Sequence, residues 1–295
     1  MRREGSCPRL QALLRDGTRL DQELRDGLQS IQASVAELQS AGLASAAADR
    51  ATLIEGQITE AVKVIGLDVL PTYVLAAPPR RLVDLPGLFQ SRNAPLVKLI
   101  DNPPEFRRSG FDLATGESSK IIAGKLRRAA LSGYKLLELH RDGALIFVTR
   151  GDDDALCWGR LQRQSDAPLI NQLFLIETAT LFTRLAFDIY RDHLRGDDDV
   201  DFHLRLLRVR KGDKLCRLEA GPLQSFGLHV REAPEESGSF MVTAKIGEEA
   251  SQQTALRLLR EVYAWFGFEA EHIPYVSTKD PGGIDEDAIV AAGRS

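Results

Sequence analysis

The 295-residue chain reads as an α+β protein: an N-terminal helical arm (a hairpin or a coiled coil) and an antiparallel-sheet domain with two main helices. Three observations predict it. Over residues 10–66 apolar side chains recur at three- and four-residue spacing, the period of one helix face. Between Tyr134 and Arg150 two strand-like runs flank Arg141-Asp142-Gly143, where glycine takes positive φ at no steric cost. Two apolar-periodic stretches, about 168–194 and 249–266, are long enough for helices. The implied organisation is a helical arm (1–68), a proline-rich connector (69–104), an α+β domain (105–276) and a loosely docked or disordered tail (277–295).

In the arm, Leu10, Leu13, Gly17, Leu20 and Leu24 keep 3-4 spacing. Leu28, Ile31, Val35 and Leu38 resume it after one extra step of four, as a stutter does in a coiled coil. The seam Leu20, Leu24, Leu28, Ile31, Val35 and Leu38 is too narrow to hold a lone helix in water and requires a partner. After an Ala/Ser/Gly-rich break, Leu53, Ile54, Ile58, Val62 and Ile65 begin a second helix, with Asp49 as candidate N-cap. Pairing with a second chain or partner protein satisfies this pattern, and so does packing on its own chain.

Pro71, Pro78, Pro79, Pro86, Pro95, Pro103 and Pro104 then predict an extended connector with short edge strands or turns and no central strand. Residues 105–130 are locally basic. With 118–130 read as a helix, Lys125 and Arg128 share an outer face. Arg107, Arg108, Lys120, Lys125, Arg127 and Arg128 are the candidates for nucleic-acid contact, since such a patch neutralises phosphates. No aromatic side chain is interleaved there to stack bases, and a solvated helix face gives the same pattern.

In the 168–194 helix the apolar residues cover most of the circumference, which predicts burial of Phe174, Leu181, Phe182 and Leu185. Glu177, Thr180, Arg184, Asp188 and Arg191 form one polar stripe along it. That stripe is either exposed, with an Arg184/Asp188 pair at i,i+4, or a buried polar site at Glu177 and Arg184. Downstream, 201–210, 214–220, 226–231 and 240–246 alternate with period two and predict a four-stranded antiparallel meander. The last helix buries Leu256, Leu259, Val262, Tyr263 and Phe266, and Gly267 stops it.

No catalytic motif, phosphate-binding loop or dinucleotide fingerprint occurs, so no catalytic residue, metal ligand or cofactor is assigned. Arg150-Gly151-Asp152-Asp153-Asp154 recurs as Arg195-Gly196-Asp197-Asp198-Asp199. Clustered carboxylates suit a hard cation, but acidic turns look the same. Glu138 and His140 share one strand face, and His203, were its strand adjacent, would complete an acid–base trio. Cys7, Cys157 and Cys216, odd in number and far apart, read as reduced thiols of a cytoplasmic protein. A net charge of −4 gives no global pull toward nucleic acid or membrane. No apolar run reaches the roughly 20 residues of a membrane span.

Gly110-Phe111-Asp112-Leu113, Lys120-Ile121, Leu139-His140-Arg141-Asp142-Gly143, Leu156-Cys157-Trp158-Gly159, Ile170-Asn171 and Leu175-Ile176-Glu177 stand in an order that is similar to a known one. With Val262-Tyr263-Ala264-Trp265-Phe266-Gly267 and Ile273-Pro274-Tyr275, it resembles the region following the AlbA-type (Schlafen-like) DNA-binding domain of some bacterial proteins. The resemblance covers about residues 69–276. The AlbA-type domain itself is missing, a helical arm standing in its place, so its nucleic-acid and ATP association maps onto no residue here. The resemblance implies a bacterial, cytoplasmic context in regulation or antiphage defence. The leading reading is therefore a non-enzymatic interaction module, a homo-oligomer or protein-binding subunit working through the arm. A nucleic-acid-binding protein and a metal-dependent hydrolase or nuclease are the alternatives.

Overall fold

Residues Thr72–Ala77 form strand β1, and all six side chains are buried. A strand covered on both faces is a continuous apolar run without polar alternation. It pairs antiparallel on both sides at once, with Leu75 opposite Phe147 and also opposite Leu204. This corrects the expectation of a connector without a central strand. Pro71 and Pro78 stand just outside β1, where a missing N–H costs no ladder bond.

The structure, a computed structural model, describes residues 48–81, 83–85, 94–107, 111–113, 116, 118–130, 134–159, 166–192, 198–220, 229–278 and 282–292. The seam from Leu20 to Leu38 lies outside them. The chain divides into two compact units, Met1–Leu53 and Ile54–Ser295. In the first unit the described residues, 48–53, are helical. The second opens with helix α1 (54–64), followed by β1 and α2 (Ala94–Asp101). Then come β2 (Lys120–Ile122), β3 (Lys125–Ala129), β4 (Lys135–His140), β5 (Leu145–Arg150), β6 (Leu169–Ile170) and α3 (Gln172–Tyr190). Strands β7 (Asp199–Leu207), β8 (Arg210–Lys211), β9 (Lys214–Leu215), β10 (Arg217–Ala220), β11 (His229–Glu232) and β12 (Gly238–Lys245) follow. Helices α4 (Ser251–Trp265) and α5 (Glu286–Ala292) complete the chain, with a 3-10 turn at Ala270–His272 between them. One seven-stranded antiparallel sheet, in the order β12-β7-β1-β5-β4-β3-β2, dominates this mixed α+β unit.

Two sequence expectations are corrected here. Residues 118–130 form the β2–β3 hairpin, not a helix. Ala123 (φ 48°) and Gly124 (φ 79°) supply the paired positive φ values of a tight hairpin turn. The four-stranded meander is also replaced: β7 lies between β1 and β12, while β10 joins β11 and β6 in a second sheet. Arg208, at φ 54°, turns the chain off the large sheet after β7. Its guanidinium is held by the carbonyls of Leu67 (3.0 Å) and Leu70 (3.2 Å).

Both sheet faces are covered. On one, α3 and α4 pack side by side, α3 over β1 and α4 over β12. Phe174, Leu181, Phe182 and Leu185 are buried there, as are Leu256, Leu259, Val262, Tyr263 and Phe266, in agreement with their helical spacing. Asn171 caps α3, its side-chain oxygen accepting from the amides of Leu173 (3.0 Å) and Phe174 (3.1 Å). On the other face, Ile54, Ile58, Ala61 and Val62 of α1 pack on Val74, Ala76, Leu136, Ile146 and Val148. The second helix of the arm thus finds its partner surface on its own chain. Residues 282–292 are docked too, correcting the expectation of a loose tail. Ile284 and Ile289 are buried, and Gln252 Nε2 donates to Glu286 Oε1 at 2.7 Å.

The two outer strands of the sheet end differently. On β12, the Thr243 carbonyl accepts from Arg257 at 2.9 Å and the Lys245 amide meets Glu249 at 3.5 Å. Arg257 and Glu249 are themselves paired at 2.7 Å. On β2, no strand pairs with the outer side among the described residues, and all three of its residues are exposed.

Candidate functional site

The β3–β4 ladder sets Lys125 opposite His140 and Arg127 opposite Glu138, and alternation sends all four toward the α1 face. Glu138 is wholly buried. Its Oε1 accepts from Arg127 Nε, and its Oε2 lies 3.0 Å from His140 Nε2 and 3.5 Å from Lys125 Nζ. A carboxylate only accepts, so the proton of that His140 contact sits on Nε2. Across the gap, Glu60 of α1 reaches Lys125 Nζ at 2.8 Å, an ion-pair contact without hydrogen-bond alignment. Burial works against the Glu138 charge most strongly. The hydrogen bond and charge of His140, with Arg127 and Lys125, outweigh it and hold the carboxyl below its usual value of 4.5. The result is a charge-compensated clamp between α1 and the sheet.

The proposed trio is not assembled. Glu138 and His140 touch, but His203 is opposite Ala76, Ala76 opposite Ile146, and Ile146 opposite Glu138. Two strands therefore separate His203 from Glu138, about 14 Å at ordinary strand spacing.

Glu177, by contrast, is a buried carboxylate with a partner. Arg107 Nη2 donates to its Oε2 at 2.8 Å and Arg107 Nε to its Oε1 at 3.4 Å, a fork-on-carboxylate arrangement. The guanidinium lies 5.9 Å from the centre of the Phe111 ring, which packs edge-on against the exposed Trp158. Tyr275 stands nearby at φ 61°, a conformation that costs a bulky residue about 1–3 kcal/mol. Its hydroxyl and that of Tyr263 are buried without a hydrogen-bond partner. Burial raises the Tyr275 pKa, Arg107 opposing and Glu177 adding to the shift. Arg184 does not join this site. It is half-exposed and pairs with Glu286 at 3.1 Å, while Asp188 meets Arg191 at 3.7 Å. The Arg184/Asp188 pair is thereby corrected.

The basic candidates among the described residues form no outward patch. Lys125 and Arg128 are buried and, as neighbours in register to His140 and Leu137, face opposite sides of the sheet. Arg128 donates to the carbonyls of Ile100 (3.2 Å) and Asp101. Arg107 and Arg127 carry the ion pairs already described, Lys120 is exposed on β2, and Arg108 lies outside the described residues.

In the first acidic turn, Arg150 pairs with Asp152 (2.9 Å) and Asp154 (2.6 Å). The turn borders a cleft of about 320 Å³ whose lining also includes Arg210 and Lys211. In the second turn, Asp198 and Asp199 face Arg81 (3.9 Å) and Arg80 (3.8 Å). No cluster of three His, Cys, Asp or Glu residues fit to hold a metal occurs among the described residues. Cys157 and Cys216 are buried. Burial pushes the Cys157 thiol well up and that of Cys216 to about 12, which leaves both as poor nucleophiles.

Sequence reasoning finds Glu177 but not Arg107 as its partner, because 70 residues separate them. It reads Lys125 and Arg127 outward because it takes their hairpin for a helix. The Ala123-Gly124 pair was the available signal for that turn. No described helix is long and apolar enough to cross a membrane. No protein-family model matches the chain, and neither a curated protein nor a solved structure does.

Proposed function

We propose that the chain is a non-enzymatic interaction module that self-associates or binds a protein partner through its helical arm. Its role would be regulatory or accessory, in the bacterial regulation or defence setting that the Schlafen-like resemblance implies. The observation that carries this reading is the fate of the downstream stripe. Ile54, Ile58 and Val62, spaced like the seam, are buried against an apolar surface. The seam Leu20, Leu24, Leu28, Ile31, Val35 and Leu38 has the same physical need, which a second seam or a partner helix meets.

Light scattering on the full chain and on a chain lacking residues 1–47 tests it. That cut leaves Ile54 to Val62 in place, so the sheet keeps its cover. The full chain is expected to show the larger subunit number, or to retain a partner protein that the shortened chain releases. Identical assemblies and identical partners for both would sink the reading. The ratio of absorbance at 260 and 280 nm in the same samples reports any bound nucleic acid.

A further inference from the structure

We propose that Glu177, Tyr263 and Tyr275 form an enclosed site for one small uncharged molecule bearing both a carbonyl oxygen and an N–H, a primary amide being the simplest. This goes beyond the arm and stands whether or not the arm associates. Glu177 belongs to α3 and Tyr263 to α4, which pack side by side. Tyr275 comes from the stretch after α4, and that stretch is held against both helices. The Tyr275 carbonyl accepts from the Asp285 amide at 2.7 Å. The next residue, Glu286, accepts from Arg184 of α3 at 3.1 Å and from Gln252 of α4 at 2.7 Å. The three side chains are close enough to feel one another. Burial dominates the raised pKa of both tyrosines, and Tyr275 adds to the shift at Tyr263 as Glu177 does at Tyr275.

Unfilled hydrogen-bonding capacity defines the guest. Tyr263 is wholly buried, and neither its hydroxyl nor that of Tyr275 has a hydrogen-bond partner among the described residues. A buried hydroxyl left so is costly, and native structures fill such positions. Glu177 is wholly buried too. Among the described residues it accepts from Arg107 alone, through Nη2 and Nε, whereas an ionised carboxylate has about four acceptor sites. Two unfilled donors thus stand beside an under-used acceptor. A carbonyl oxygen has lone pairs for both phenols, and an N–H suits the carboxylate. Charge sets the limit. Arg107 already neutralises Glu177, so a further ion enclosed with them would go unpaired, and the guest is neutral.

Saturation-transfer NMR on the full chain tests it, with acetamide as the probe and acetate, of the same shape, as the charged control. Acetamide should bind saturably and acetate should not. In Tyr263→Phe, which removes only the hydroxyl, the acetamide dissociation constant should rise about tenfold or more. Tyr275→Phe, on the other side of the guest, should weaken binding similarly, and thermal melting checks that both variants fold. Absence of saturable acetamide binding, equal binding of acetate, or unchanged affinity in the two variants overturns the proposal. The first of these outcomes would leave the hydroxyls to bound water alone.

Discussion

On one face of the sheet, α3 and α4 set Phe174, Leu181 and Leu259 into a core shared with Tyr73, Phe147 and Phe202. On the other, α1 lays down Ile54, Ile58, Ala61 and Val62 and brackets them with charges. Arg205 pairs with Glu55 at 2.7 Å on one side, and Lys125 with Glu60 on the other, over the buried Glu138. The first face is closed by area removed from water, which is insensitive to pH. The second is a small apolar patch whose rim is electrostatic. A helix that buries few large side chains is positioned by its ion pairs more than a helix surrounded on all sides.

The sharpest way to break this contrast is Glu138→Ala. It strands Lys125 and Arg127 beside a buried gap, and removing one partner of a buried pair costs about 3–5 kcal/mol. Urea denaturation checks it, and a loss near zero would mean the charges on the α1 face are incidental. Leu181→Ala on the other face should cost about 2–5 kcal/mol by lost contacts and a cavity, with no change in the pH profile. The two variants should therefore separate in acid. Because the Glu138 carboxyl is held below 4.5, the stability it contributes is complete above that pH and is lost as pH falls through the lowered value. Leu181→Ala should keep this acid-labile component and Glu138→Gln should lose it, as thermal melts between pH 3 and 7 would show. An unchanged profile in Glu138→Gln would assign the acid sensitivity elsewhere. The smallest effects belong to half-exposed ion pairs. Glu60→Ala and Arg184→Ala should each cost about 0–1 kcal/mol, and a larger loss for Glu60 would show that the rim acts as one network.

Much of the frame was legible where a local signal decides. Asp142-Gly143 marked the β4–β5 turn, where Gly143 does take φ 88°, and helical spacing marked α3 and α4. What failed was non-local. β1 was obscured by its flanking prolines and by lacking any exposed face, which removes the alternation that marks a strand. Glu138 read as part of an acid–base trio and Lys125 as an outward basic charge, since their pairing depends on strand order and on α1 lying above them. Glu177 stood out only because its surroundings on α3 are apolar. Nothing near it in sequence pointed to Arg107.

The paired Arg257 and Glu249 beside β12 have a further consequence for growth. Head-to-tail stacking of sheets, the geometry that leads to fibres, needs a receptive strand at each end of every unit. Here one end offers exposed isoleucines, while the other has the Thr243 carbonyl and the Lys245 amide already taken. At the β12 end those two backbone groups are therefore closed to an incoming strand.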